Sequence, residues 1–219
     1  MNNSSSLDEL PLSARSILDY RGNCWKFMSE CVWTQDQVDK SNPVKKYPDD
    51  DSPKGPYLKY MVNKMVIEQL LAVVKNRRMI QTWSMCGVGI WDAMFFEGRK
   101  IAFISKKEED SDELVRRCEF IYDNIPKELL PVKPEKKYKF CHLEFPELKS
   151  EIIGVAQGPD QLRQHTCSRI FADEIGFWEK ARSTFVAMKP TLDGGGQVCL
   201  CSTRFPGFFK QLIEDSLDS

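Results

Sequence analysis

The stretch LLAVVKNRRMIQTWSMCGVGIWDAMFF, residues 70–96, decides how the chain is read. LLAVV is a compact apolar run suited to a buried strand. Residues 82–96 are apolar nearly all round, as in a helix covered on several sides. Gly87 and Gly89 interrupt that helix and mark close packing. Between strand and helix, KNRRMIQTWS (75–84) has the position of a phosphate-binding loop. Such a loop needs backbone N–H groups converging on the phosphates, a cation for the β/γ oxygens, and a hydroxyl for Mg²⁺. Thr82 opens the helix and can supply the hydroxyl. In the usual pattern a lysine immediately precedes that residue. Here Gln81 does, and Ile80 stands in place of the glycine. Lys75 is the substitute cation, while Arg77 and Arg78 add charge that could stabilise a departing phosphate. On these residues alone, a solvated basic turn is the competing reading.

Downstream the pattern alternates. Residues 101–105, IAFIS, form a second strand, and Ser105 with Glu108 makes a capping-box pattern opening a helix with Leu114, Cys118 and Ile121 on one face. Residues 138–144 and 151–156 read as an antiparallel pair of strands. RIFAD follows, then a helix near 179–188, the turn DGGG, the strand QVCLCST and a last helix from Pro206. Strands alternating with helices indicate an α/β domain around a mostly parallel sheet. Ligands of such sheets sit at the carboxyl ends of the strands.

Upstream, the first six residues read as disordered. Residues 7–33 read as one or two helices, with Ile17, Leu18, Trp25, Phe27 and Met28 as apolar contacts. The polar run DQVDKSNPVKKYPDDDSPKGP (36–56) reads as a surface loop or linker, and 57–69 as a helix. The expected division is a helical N-terminal appendage over 1–55, serving as lid or docking arm, and a core over 56–219.

Composition narrows the class. No run approaches the ~20 apolar residues that span a bilayer. The polar start MNNSSSLDEL has no signal-peptide character, which points to a cytosolic, reducing compartment. The cysteines form no CxxC pair, and His142 and His165 have no ligand-like spacing to one, so the cysteines read as buried small hydrophobes. Cys199 and Cys201 alternate on one strand and face the same side. A net charge of −1 leaves nucleic-acid contact to local patches such as Lys106-Lys107 or Lys133, Lys136, Lys137 and Lys139.

Two further motifs follow apolar strands. In SRIFADEIGFW (168–178) the carboxylates Asp173 and Glu174 end a short buried strand. In NTPases the first of such a pair holds the Mg²⁺ shell and the second polarises the attacking water. An acidic pair capping the next helix is the alternative. In GGGQVCLCSTRFPG (194–207), Ser202 and Thr203 end a buried strand where hydroxyls could sense a γ-phosphate, or could simply cap the helix after Pro206. Three strand ends of this kind could converge on one crevice.

From about residue 70 to 209 the chain resembles the ATPase domain of the large terminase subunit of tailed bacteriophages. KNRRMIQTW looks like that family's divergent Walker A loop, RIFADE like its Walker B with catalytic glutamate, and CLCSTRFPG like its coupling motif. The resemblance implies an ASCE-type P-loop NTPase with a mostly parallel central sheet flanked by helices and a small helical N-terminal appendage. It implies a motor that uses ATP and Mg²⁺ to push double-stranded DNA into a procapsid in the host cytoplasm. Its partners would be the portal protein and the small terminase subunit. Such a motor forms a ring when assembled, and the domain alone could be a monomer.

Carried over, the nucleotide-binding loop is Lys75, Asn76, Arg77, Arg78, Met79, Ile80, Gln81, Thr82 and Trp83. Lys75 would be the variant phosphate lysine and Arg77 the transition-state arginine, with Arg163 or Arg204 of a neighbouring subunit as alternatives. Thr82 and Asp173 would hold the metal, Glu174 would activate water, and Ser202 and Thr203 would couple hydrolysis to motion. Tyr57 is a candidate for stacking on the base. The family's C-terminal nuclease domain is expected to be missing, and with it DNA cleavage. A helicase-like ATPase and a nucleotide-binding but inactive assembly module are the competing functions.

Overall fold

The computed structural model of the chain describes residues 12–36, 38–76 and 79–217. The first half runs α1 (Leu12–Gly22), α2 (Cys24–Cys31), β1 (Trp33–Gln35), β2 (Val44–Lys46), α3 (Gly55–Ile67), β3 (Leu70–Val74), α4 (Gln81–Phe95), β4 (Lys100–Ser105) and α5 (Glu108–Asp123). The second half runs β5 (Lys137–Lys139), β6 (His142–Phe145), β7 (Ser150–Ala156), α6 (Pro159–Arg163), β8 (Arg169–Asp173), α7 (Ala181–Asp193), β9 (Gln197–Ser202) and α8 (Phe208–Leu217). The result is a mixed α/β fold. Its seven-stranded sheet has the order β3-β9-β8-β4-β7-β6-β5. The first five strands are parallel, and β6 and β5 add an antiparallel edge.

Side chains alternate across the sheet, so two apolar layers form. Phe103, Phe171, Cys199 and Cys201 pack into one core with α2, α3, α4 and α5. Ile104, Ile170, Ala172, Val198 and Leu200 pack into the other with Phe185 and Met188 of α7 and Phe209 of α8. Cys199 and Cys201 do share a face, and all eight cysteines are buried free thiols. Gly87 and Gly89 let α4 approach its neighbours: a Cβ at Gly87 would strike Met28, and one at Gly89 would sit 3.0 Å from the Phe103 ring.

Several local expectations change. Among the described residues LLAVV is an edge strand paired only with β9, and Leu70 and Val74 are exposed rather than buried. Sequence cannot tell an edge strand from a central one when both are apolar. The capping box is not formed: Ser105 ends β4, and α5 starts after Lys107 with no side-chain cap. Glu108, Glu109 and Asp110 in its first turn complement the helix dipole instead. The single strand expected over 138–144 is a hairpin, β5 and β6, turning at Phe140 and Cys141. Residue 141 has φ 56°. Helix α7 runs past Met188, through Pro190 in its last turn, and ends where Gly195 takes φ 81°.

The polar segment 36–56 is not merely a linker. It supplies β2, which pairs back on β1, and delivers Tyr47 into the core beside Trp25. Helices α1 and α2 contribute Tyr20, Phe27 and Met28 to the same apolar cluster as α4. The first six residues lie outside the described ones. Among the described residues no helix is long and apolar enough to cross a membrane.

Candidate active site

Three adjacent parallel strands bring their carboxyl ends together. Val74 of β3 is level with Ser202 of β9, and Asp173 of β8 is level with Cys201 of β9. The Lys75 N–H donates to the Ser202 carbonyl at 2.9 Å, continuing the ladder by one residue. Lys75, Asp173, Glu174, Ser202 and Thr203 therefore emerge along one sheet edge, with Thr82 facing them from the first turn of α4.

Lys75 is the hub. Its Nζ lies 3.0 Å from Asp173 Oδ1 and 3.1 Å from Glu174 Oε1, and donates to Thr82 Oγ1 at 3.3 Å. Thr82 Oγ1 in turn donates to Asp173 Oδ2 at 3.2 Å. The Lys75 side chain is only 9% exposed. Burial works against its charge, but the Asp173 and Glu174 carboxylates outweigh it and hold its pKa above the ordinary lysine value.

Glu174 is the most exposed of the three charged groups, at 39%. It stands at the turn after β8 with φ 54°, a left-handed conformation uncommon for a side chain of this kind. One carboxylate oxygen meets Lys75. The other accepts from Ser202 Oγ and from the Thr203 N–H, both at 3.3 Å. Ser202 is fully buried and also accepts the Gly176 N–H at 3.1 Å, while Phe177 packs on Phe205. The Ser-Thr pair thus grips the Glu174 turn directly.

The loop opens on a cleft of about 900 Å³, the size of a small-molecule site. Lys75, Asn76, Met79, Ile80, Gln81, Thr82 and Trp83 line it together with Glu174. Arg77 and Arg78 lie outside the described residues. Ile80, where a glycine is usual, has φ 60° and caps α4 in the conformation a glycine adopts freely, so the loop keeps a glycine-type backbone without the residue. The helix begins at Gln81, one residue before Thr82.

The rest of the lining was not legible in the sequence. It comes from the ribbon, including Thr34, Gln35, Lys45 and Lys46, and from Glu113 and Arg117 of α5. The Arg117 guanidinium lies 5.5 Å from the centre of the Trp83 ring, which packs edge-on against Phe120. No motif marks these residues, because only helix packing and the folding back of the ribbon bring them to the loop. Tyr57, the candidate for stacking on a base, lines a separate hollow beside β3.

The basic clusters are partly committed elsewhere. Lys136 pairs with Glu119 and Asp123, Lys133 donates to the Tyr122 carbonyl, and Lys106 pairs with Glu179. Arg163 is exposed beside Asp160, and Arg204 is exposed in the segment after β9.

No family model and no curated protein matches the chain. Solved structures do. The large terminase of bacteriophage HK97 superposes with a TM-score of 0.64 over 90% of this chain, at 12% identity. The large terminase ATPase domain of Thermus phage P74-26 gives 0.51 over 68% at 16% identity, and a mutant of that domain 0.50 over 65% at 14%. The fold is that of a phage large terminase ATPase domain. At these identities the likeness speaks for the terminase fold and not for activity. The chain spans 41% of the HK97 terminase and 66% and 62% of the two P74-26 terminase domains.

Proposed function

We propose that this chain is an ATP-hydrolysing motor domain of the large terminase type, which drives double-stranded DNA into a procapsid. One observation carries the reading: at the carboxyl ends of parallel strands Lys75, Thr82 and Glu174 line one cleft, and the buried Asp173 contacts both Lys75 and Thr82. A cation, a hydroxyl and two carboxylates are the set that phosphoryl transfer to water requires.

A hydroxyl and a carboxylate oxygen 3.2 Å apart are hard donors of the kind Mg²⁺ takes, one or two from protein and the rest from phosphate and water. Thr82 and Asp173 would hold it, and when bound it would neutralise charge on the β- and γ-phosphate oxygens. Lys75 would donate to phosphate oxygens. Glu174, exposed to the cleft, would orient the attacking water and accept its proton. To do so it must loosen its hold on Ser202 and Thr203, which shifts the segment leading to α8. That is the route by which hydrolysis would become motion. A transition-state arginine would come from Arg77, from the cleft residue Arg117, or from Arg163 or Arg204 of a neighbouring copy.

Mg²⁺-dependent ATP turnover, compared with Glu174→Gln, tests this. Loss of at least ~10²-fold in turnover with nucleotide binding retained is the expected result. Unchanged turnover in the variant removes Glu174 from the reaction. Nucleotide binding without turnover in the unaltered chain favours an inactive assembly module instead.

A further inference from the structure

An ammonium group has three N–H donors. Lys75 Nζ donates to Thr82 Oγ1 and Asp173 Oδ1, the residues that would receive a metal, at 3.3 and 3.0 Å, and lies 3.1 Å from Glu174 Oε1, the carboxylate that would face its water. We infer that Lys75 is an internal counter-cation occupying the divalent-metal seat, so that the site admits a metal only as part of a metal–nucleoside triphosphate complex. This deepens the ATPase reading and rests on it.

The physical reason is pairing of charge. A divalent cation arriving alone competes with Lys75 for the same Thr82 and Asp173 oxygens. Displacing the ammonium would strand a cation that is 9% exposed, and unpaired buried charge is strongly disfavoured. Free triphosphate is also disfavoured, because one ammonium already faces two carboxylates there. A metal–triphosphate complex solves both problems. The metal takes the carboxylate and hydroxyl oxygens, and the phosphates take the displaced ammonium, so every charge stays paired.

A second observation points to an anionic guest. Gln81, next to Thr82 and 1% exposed, lines the same cleft, and its Nε2 and Oε1 have no hydrogen-bond partner among the described residues. Buried amides are rarely left so. Its NH₂ group is available to a phosphate oxygen that arrives as Lys75 swings over.

The test is titration of Mn²⁺ into the nucleotide-free full chain, followed calorimetrically and by loss of the free-ion electron-spin signal. The unaltered chain should show no specific Mn²⁺ site below the millimolar range. Lys75→Met and Lys75→Gln, checked for native circular dichroism, should each gain a site at least tenfold tighter. Adding Asp173→Asn should abolish it. Equal Mn²⁺ affinity in the unaltered chain and both variants overturns the inference, as does a gain that survives Asp173→Asn. Binding of a fluorescent ATP analogue with Mg²⁺ is measured alongside. Nucleotide binding by the unaltered chain without a Mn²⁺ gain in the variants sinks the cation exchange and leaves the ATPase reading standing. A Mn²⁺ gain with no nucleotide binding supports Lys75 as the cation of the seat and overturns the ATPase reading.

Discussion

The hydroxyl of Tyr47 shares a 2.6 Å hydrogen bond with Ser84 Oγ, tying the polar segment after α2 to the first turn of α4. The ribbon that walls the cleft is thereby anchored to the helix that starts at the loop. Tyr47→Phe should cost about 1 kcal/mol of stability. It should also weaken nucleotide binding severalfold, because the wall is less firmly held. Thermal melting and nucleotide titration read both; unchanged affinity would disconnect the ribbon from the site.

Ile80 carries loop strain. A non-glycine residue at φ 60° is disfavoured by roughly 1–2 kcal/mol. Ile80→Gly removes that strain while losing a partly buried side chain, so it should cost clearly less than the ~2–5 kcal/mol of an ordinary buried Ile truncation. Nucleotide binding should persist. A loss of stability at the upper end of that range would show that packing, not strain, dominates here.

Asp92 is the buried charge on α4. It accepts Arg169 Nε at 2.9 Å and a two-pronged contact from Arg99 at 2.8 and 3.0 Å. Arg169 is itself buried and also donates to the Met65 carbonyl, joining α3, α4 and β8. Asp92→Ala strands Arg169 and should cost about 3–5 kcal/mol. The double change Asp92→Leu, Arg169→Met should recover much of that in denaturant unfolding. Additive losses would mean the ion pair is not what couples the two positions.

Asp112 sets an acid limit. Burial alone would raise its pKa, but the Cys141 N–H, Arg116 and the Tyr138 hydroxyl outweigh it and hold the carboxyl below its ordinary value. A carboxylate depressed in the folded state stabilises above its unfolded pKa, about 3.9, and that stability is lost as pH falls through the folded value. The stability gap between the unaltered chain and Asp112→Asn should be constant near neutrality and shrink below about pH 4. A gap independent of pH down to pH 2 would contradict this.

What the sequence determined by itself was local and periodic. Alternation in QVCLCS placed Cys199 and Cys201 on one face, and adjacent carboxylates after RIFA placed Asp173 and Glu174 at a strand end. The companions of KNRRMIQTWS made Lys75 a candidate cation. Those signals survive because they depend on chain neighbours and on the backbone repeat. Tertiary structure decided everything that depends on which element lies beside which. It put LLAVV at a sheet edge, folded Tyr47 inward from a run of prolines and aspartates, and drew Arg117 over Trp83. It also closed Lys75 onto Thr82, Asp173 and Glu174, residues up to 99 positions away. No local pattern encodes those contacts, since hydrophobic burial and charge pairing act through space rather than along the chain.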